Sequence, residues 1–95
     1  MKLIEQVREE LENNQMKLSL DFIKSLALAG KVTHHQLTPN CRVCAITLES
    51  GHEVVGYSQV LDADNDIEAI GQGVAYDNAF NELWKVVGSV AKAVM

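Results

Sequence analysis

Two cysteines and three histidines are the residues in this sequence best suited to bind a metal. Cys41 and Cys44 form a C-x-x-C pair, and His34, His35 and His52 lie on neighbouring segments. Structural zinc needs four ligands that converge tetrahedrally, usually from a turn, but Cys44 falls inside a predicted strand, where successive side chains alternate in direction. A redox pair would need its first cysteine at a helix N-terminus. We therefore predict two reduced, structural thiols and no bound metal.

The stretch IGQGVAYDNAF at residues 70–80 has the glycine spacing that begins a dinucleotide-binding loop. Such a loop needs a third glycine at its sixth position, where this chain has Tyr76, and it should follow a strand directly. Gly71, Ala75 and Ala79 are instead spaced by four, which places three small residues along one helix face. A strip of this kind lets another helix or a sheet approach closely. We predict that the strip is a packing surface and that it forms an oligomer interface.

The acidic segment DADND at residues 62–66 resembles the start of a calcium-binding loop. The glycine and the glutamate that such a loop carries at its sixth and twelfth positions are missing. Acids that cap a helix starting at Ile67 explain the segment better. The sequence also lacks a nucleophile elbow, an H-E-x-x-H motif and a paired-carboxylate arrangement. We therefore expect no enzymatic activity and no cofactor.

The N-terminal third of the chain predicts two helices. Leu3, Ile4, Val7 and Leu11 recur at helical spacing, with charged residues on the opposite face. NNQ at residues 13–15 ends this helix. Ser19 is then a suitable N-cap for a second helix that ends at Gly30.

From residue 31 onward the pattern changes to that of a sheet followed by a helix. Residues 31–37, RVCAITLE at 42–49 and HEVVGYSQV at 52–60 are predicted strands, joined by TPNC and SG turns. The middle strand has apolar residues on both faces, which favours a central position. An apolar helical pattern then runs from Ile67 to the end, and Gly88 is a candidate bend. The predicted class is α+β: a three-stranded antiparallel β-meander covered by a long C-terminal helix, with one or two N-terminal helices.

Length and charge limit the function. Ninety-five residues make one domain, in which we expect residues 1–15 to be a peripheral helix and residues 19–95 to be the core. A formal net charge of −5 argues against a nucleic acid polymer as partner, because phosphate binding needs clustered cations. No apolar stretch is long enough for a membrane, and the N-terminus does not read as a secretory signal. The default expectation is a cytoplasmic protein.

The segment CAITLESGHEVVGYSQVLDADNDIEAIGQGVAYDNAFNELW resembles the small phage proteins known as the gp forty-nine / gene sixty-six family. The family pattern is a hydrophobic strand, a glycine turn, a strand ending in G-x-S, an acidic segment and G-x-x-x-A-Y-x-x-A leading to a tryptophan. The matching residues occur in the same order from about Ser19 to Trp84 and are Gly56, Ser58, Asp62, Gly71, Ala75, Tyr76, Ala79 and Trp84.

In its small sheet, C-terminal helices and expected oligomer, this layout is also similar to that of the phage Thoeris anti-defence sponges. The similarity implies a homo-oligomer that sequesters a cyclic ADP-ribose-type or cyclic oligonucleotide immune signal in a pocket between subunits, inside the infected bacterium. Such a pocket needs an aromatic face for the base, a cation for phosphate, and amides or carboxylates for ribose hydroxyls. The ligand-binding residues that we predict on this basis are Arg42, Tyr57, Ser58, Asp77 and Asn78.

An alternative is that the protein inhibits a host protein. Its acidic surface could attract a basic partner, or the amphipathic N-terminal helix could place its apolar stripe in a partner's groove. Both hypotheses describe binding without catalysis, and they differ in the class of partner and in the use of the first helix.

Overall fold

The fold is described from a computed structural model that covers residues 2–60 and 67–95. It contains α1 (Leu3–Asn13), α2 (Leu20–Ala29), β1 (Lys31–Thr38), β2 (Cys41–Thr47), β3 (Glu53–Gln59) and α3 (Glu68–Val94). The predicted α+β class, with its three-stranded meander and long C-terminal helix, is confirmed. None of the helices in the described part combines the length and the apolar character needed to cross a membrane.

The three strands form one antiparallel sheet in the order β1-β2-β3, so the predicted central strand is β2. Its register pairs Cys44 with Gly56 and Val43 with Tyr57. The β2–β3 turn closes where the Leu48 N–H donates to the His52 carbonyl over 2.8 Å. Gly51 in this turn has φ 92°, a conformation that glycine adopts without a steric cost.

Helix α3 lies on one face of the sheet, over β3 and β2. In β3 the even-numbered residues are buried and the odd-numbered residues are exposed, as expected for a strand with one covered face. Gly56 stands where the helix backbone comes closest: a Cβ atom added there would lie 2.1 Å from the Ala79 nitrogen and 2.4 Å from the Ala75 carbonyl oxygen. The helix and the strand are therefore in direct backbone contact.

This contact corrects the predicted oligomer interface. Gly71, Ala75 and Ala79 are all buried in the single chain, and neither alanine has any exposed surface. The predicted close approach exists, but it is made by the chain's own sheet at Gly56. A second subunit has no access to Ala75 or Ala79.

The first helix is part of the core, so its predicted peripheral position is wrong. Leu3, Val7 and Leu11 are buried on the face of α1 that packs on α3. They belong to the same hydrophobic cluster as Leu83 and Val87. Because these apolar residues are buried inside the chain, they cannot pack into the groove of a partner protein.

The ends of the helices agree with the sequence where they are described. The Ser19 hydroxyl accepts a hydrogen bond from the Phe22 N–H over 3.1 Å, which makes it the N-cap of α2, and Gly30 follows the last residue of that helix. Helix α3 continues through Gly88 without interruption. The predicted helix-start acids at residues 62–66 lie outside the described residues.

Candidate functional site

The five predicted ligand-binding residues do not form one site. Tyr57 and Asn78 lie together, because the Asn78 side-chain amide donates to the Tyr57 carbonyl oxygen over 2.6 Å. Arg42 and Ser58 lie together on the covered face of the sheet, and Asp77 lines a separate cavity beside α2. The single pocket expected from the sequence is therefore divided between different surfaces of the chain.

Ser58 and Arg42 belong to the covered face of the sheet. Ser58 is buried and is paired in register with Arg42 on β2. Arg42 also lines a small polar cavity of about 140 Å³ with residues of β1 and the first turns of α3; the other lining residues are His34, His35, Gln36, Glu68 and Gln72. Gln72 in this cavity donates to the Glu68 carboxylate over 3.4 Å.

Asp77 lies on the flank of α3 that faces α2. It lines a cavity of about 370 Å³ with Lys24, Leu28, Tyr76 and Phe80. The rings of Tyr76 and Phe80 are stacked with centroids 6.2 Å apart, which is a favourable aromatic separation. This environment is mainly apolar, and it does not include Asn78, the residue next to Asp77 in the chain.

Tyr57 and Asn78 line the largest groove described, with a volume of about 580 Å³, between β3 and the flank of α3. Its other lining residues are Val55, Gly56, Asn81, Glu82 and Lys85. The Tyr57 side chain is 54% exposed, so its ring is accessible to a planar ligand. The Lys85 ammonium and the Glu82 carboxylate form a salt bridge of 2.9 Å at the exposed side of the groove.

Three groove residues were missed in the sequence, although a signal for them existed. Asn81, Glu82 and Lys85 follow Asn78 by three, four and seven positions. This is the spacing of one helix face, so any helix that presents Asn78 to a ligand presents these three side chains beside it. The complete groove combines an aromatic ring, two amides, a carboxylate and an ammonium group.

The two cysteines do not converge on a metal. Cys41 and Cys44 are three positions apart in β2, and side chains at an odd separation in a strand point to opposite faces. Cys44 is fully buried and Cys41 is partly exposed. Among the residues that the structure describes, no three histidine, cysteine or acidic side chains are grouped so that they could hold a metal ion.

Burial raises the pKa of the Cys44 thiol, which gives a pH dependence of stability. The unfolded thiol ionises above about pH 8.5 and the folded thiol, with its raised pKa, only at a higher pH, so between these two pKa values the free energy of unfolding should fall with pH by up to about 1.4 kcal/mol per unit. Urea unfolding between neutral and alkaline pH measures this effect. Cys44→Ala should reduce the alkaline loss. Equal losses in wild type and Cys44→Ala would contradict the prediction.

The fold and the groove define a small α+β domain with an open groove of about 580 Å³ between β3 and α3. A family model matches residues 8–95, and the chain belongs to the phage protein (N4 Gp49/phage Sf6 gene 66) family. The match begins inside α1, so the family domain includes part of the helix that we expected to be peripheral. Searches of curated proteins and of solved structures found no match to this chain.

Proposed function

We propose that this phage protein acts by binding, without catalysis, and that it sequesters a small nucleotide in the groove between β3 and α3. The observation that carries the proposal is the set of side chains in that groove. Tyr57 offers a face for base stacking, Lys85 offers a cation for phosphate, and Asn78 and Asn81 offer amides for hydroxyl or base edges. A cyclic ADP-ribose-type or cyclic oligonucleotide immune signal has all three of these chemical features.

The proposed site differs from the intersubunit pocket that we expected from the sequence. Its aromatic, amide and charged groups all come from one β3–α3 pair, so a single subunit supplies the complete set. The Lys85–Glu82 salt bridge is exposed and therefore weak. A phosphate can replace the Glu82 carboxylate as the partner of Lys85 at a small cost in free energy.

Nucleotide retention tests this proposal. Purified protein is incubated with nucleotide extract from infected cells, washed and heated, and the released compounds are identified by mass spectrometry. We expect a retained nucleotide whose affinity falls about ten- to a hundredfold in Tyr57→Ala, since stacking on an aromatic ring contributes about 1–3 kcal/mol per base. Lys85→Ala should also weaken retention, and Lys92→Ala, on the same helix but outside the groove, should not.

Two results would contradict nucleotide binding in the groove. One is that the wild-type protein retains no nucleotide although its circular dichroism shows that it is folded. The other is that Tyr57→Ala, Lys85→Ala and Lys92→Ala all retain the same amount as wild type, which would place the ligand on another surface.

A second candidate function is inhibition of a host protein through the acidic surface. The observation that favours it is the outer face of α1, where Glu5, Glu9 and Glu12 are exposed while the apolar stripe is buried. A basic partner attracted by these carboxylates should be released as salt rises, because exposed charges are screened. Capture from host lysate at low and high salt, with Glu9→Lys/Glu12→Lys as the variant and Ile4→Ala as the control, tests this function. A host protein that is captured equally at low and high salt, and equally by wild type and the charge-reversed variant, would argue against this function.

A further inference from the structure

A cleft of about 350 Å³ lies between α1 and α2, and it shares no lining residue with the groove between β3 and α3. Each of the two helices lines this α1–α2 cleft with one face. The lining residues are Gln6, Glu9, Glu10 and Asn13 from α1, and Phe22, Ser25, Leu26 and Ala29 from α2. On both helices they recur at positions i, i+3, i+4 and i+7, which is the spacing of a single helix face. Two helix faces therefore oppose each other across the cleft.

The two walls of the cleft differ in chemistry. All four residues of the α1 wall are polar and two of them are carboxylates, whereas the α2 wall carries the Phe22 ring and the buried Leu26. The Ser25 hydroxyl donates to the Phe22 carbonyl oxygen of its own helix over 2.6 Å. An acidic helix face loses hydration if it packs directly on an apolar one. Helix α1 accordingly packs on α3 and makes little direct contact with α2, and the cleft stays open between them.

The acidic wall has no cation beside it. None of the residues that line the cleft is a lysine, an arginine or a histidine. In the part of the chain that the structure describes, neither Glu9 nor Glu10 forms a salt bridge. A cleft lined by charges of one sign concentrates their field and attracts ions of the opposite sign. The two carboxylates therefore favour a cationic ligand.

Gln6 adds a hydrogen-bond acceptor to the same wall. Its side-chain oxygen Oε1 is buried, and no donor among the described residues reaches it. A buried acceptor without a donor is unfavourable. The torsion that turns the terminal amide of glutamine is soft, so the Gln6 oxygen can turn toward a donor that enters the cleft. An acceptor beside two carboxylates favours a cation that carries N–H groups.

We infer that the α1–α2 cleft binds a linear alkyl ammonium group, with the ammonium on Glu9 and Glu10 and the aliphatic chain on Phe22 and Leu26. An ammonium group supplies three donors, and the face of an aromatic ring attracts a cation. A metal ion would gain nothing from the apolar wall, because hard cations require oxygen ligands around them. Free polyamines and the lysine side chains of proteins share this chemistry. The inference does not depend on the nucleotide proposed above, since the two sites have no residue in common.

Calorimetric titration of the full chain tests the cleft, with spermidine as the free polyamine and a blocked lysine, acetylated and amidated, as the protein side chain. Spermidine should bind with a Kd in the millimolar range or tighter. Glu9→Gln/Glu10→Gln should raise this Kd about tenfold, and Phe22→Leu should raise it about threefold. Glu5→Gln/Glu12→Gln removes the same charge from the same helix outside the cleft, so it should change the Kd less than about twofold.

Three results would overturn the inference. In the first, wild-type protein that is folded by circular dichroism binds neither probe. In the second, the two glutamate double variants lose affinity equally, so that binding follows the net charge and not the cleft. In the third, Glu9→Gln/Glu10→Gln and Phe22→Leu bind as wild type does, which places the ligand on another surface. Binding of either probe with the expected order of variants supports the site, and the probe that binds more tightly identifies the source of the amine.

Discussion

Replacing Gly56 with alanine is expected to lower the free energy of unfolding by at least about 3 kcal/mol. The added Cβ would lie 2.1 Å from the Ala79 nitrogen, 2.4 Å from the Ala75 oxygen and 2.7 Å from the Asn78 carbonyl carbon. All three are backbone atoms of α3, so no side chain can rotate away to make room. The helix must lift from the sheet, which opens the packed core between them. Urea unfolding followed by circular dichroism measures the loss.

Gly73→Ala and Gly88→Ala are matched controls for Gly56→Ala. Both glycines lie within α3, and a Cβ added to either would have no atom within 4 Å apart from its chain neighbours and the adjacent backbone of the helix. Alanine is the better helix former by about 1 kcal/mol, so these two variants should be as stable as wild type or more stable. A Gly56→Ala protein that unfolds at the wild-type urea concentration would show that α3 does not contact β3 through its backbone.

The contact at Gly56 also explains which part of the packing could be predicted from the sequence. The spacing of Gly71, Ala75 and Ala79 correctly indicated a surface that another element approaches closely. It did not identify that element, because small residues permit an approach from any partner of suitable shape. The missing information was in β3, where a glycine in a strand interior marks a close backbone approach. The two patterns together would have placed α3 on its own sheet.

The candidate site was predicted less accurately than the fold, because the sequence identified residue types but not the directions in which their side chains point. Tyr57 and Ser58 are adjacent in β3, so one must face outward when the other faces α3. Asp77 and Asn78 are adjacent in α3 and are rotated by about 100° from each other. In this chain Tyr57 and Asn78 line one groove, Ser58 is buried, and Asp77 lines the cavity beside α2. The sequence identified suitable chemical groups. The side-chain directions in β3 and α3 then decide which of these groups lie close together in the fold.

The role of α1 gives the second large effect. We expect the double substitution Val7→Ala/Leu11→Ala to lower the free energy of unfolding by about 4 kcal/mol or more. Val7 has no exposed surface and Leu11 is 3% exposed, and both lie where α1 packs on α3. Truncating them leaves a cavity beside the C-terminal half of α3. Urea unfolding of the full chain measures the loss.

Ile4→Ala is the control on the same helix, because Ile4 is 41% exposed and its replacement should change the stability by no more than about 0.5 kcal/mol. A double variant as stable as Ile4→Ala would mean that α1 is peripheral after all. The sequence could not decide this point, since an amphipathic stripe has the same pattern whether it packs on its own core or on a partner. A chain of 95 residues has little apolar surface to spare, and using α1 in the core leaves only its acidic face for contact with other proteins.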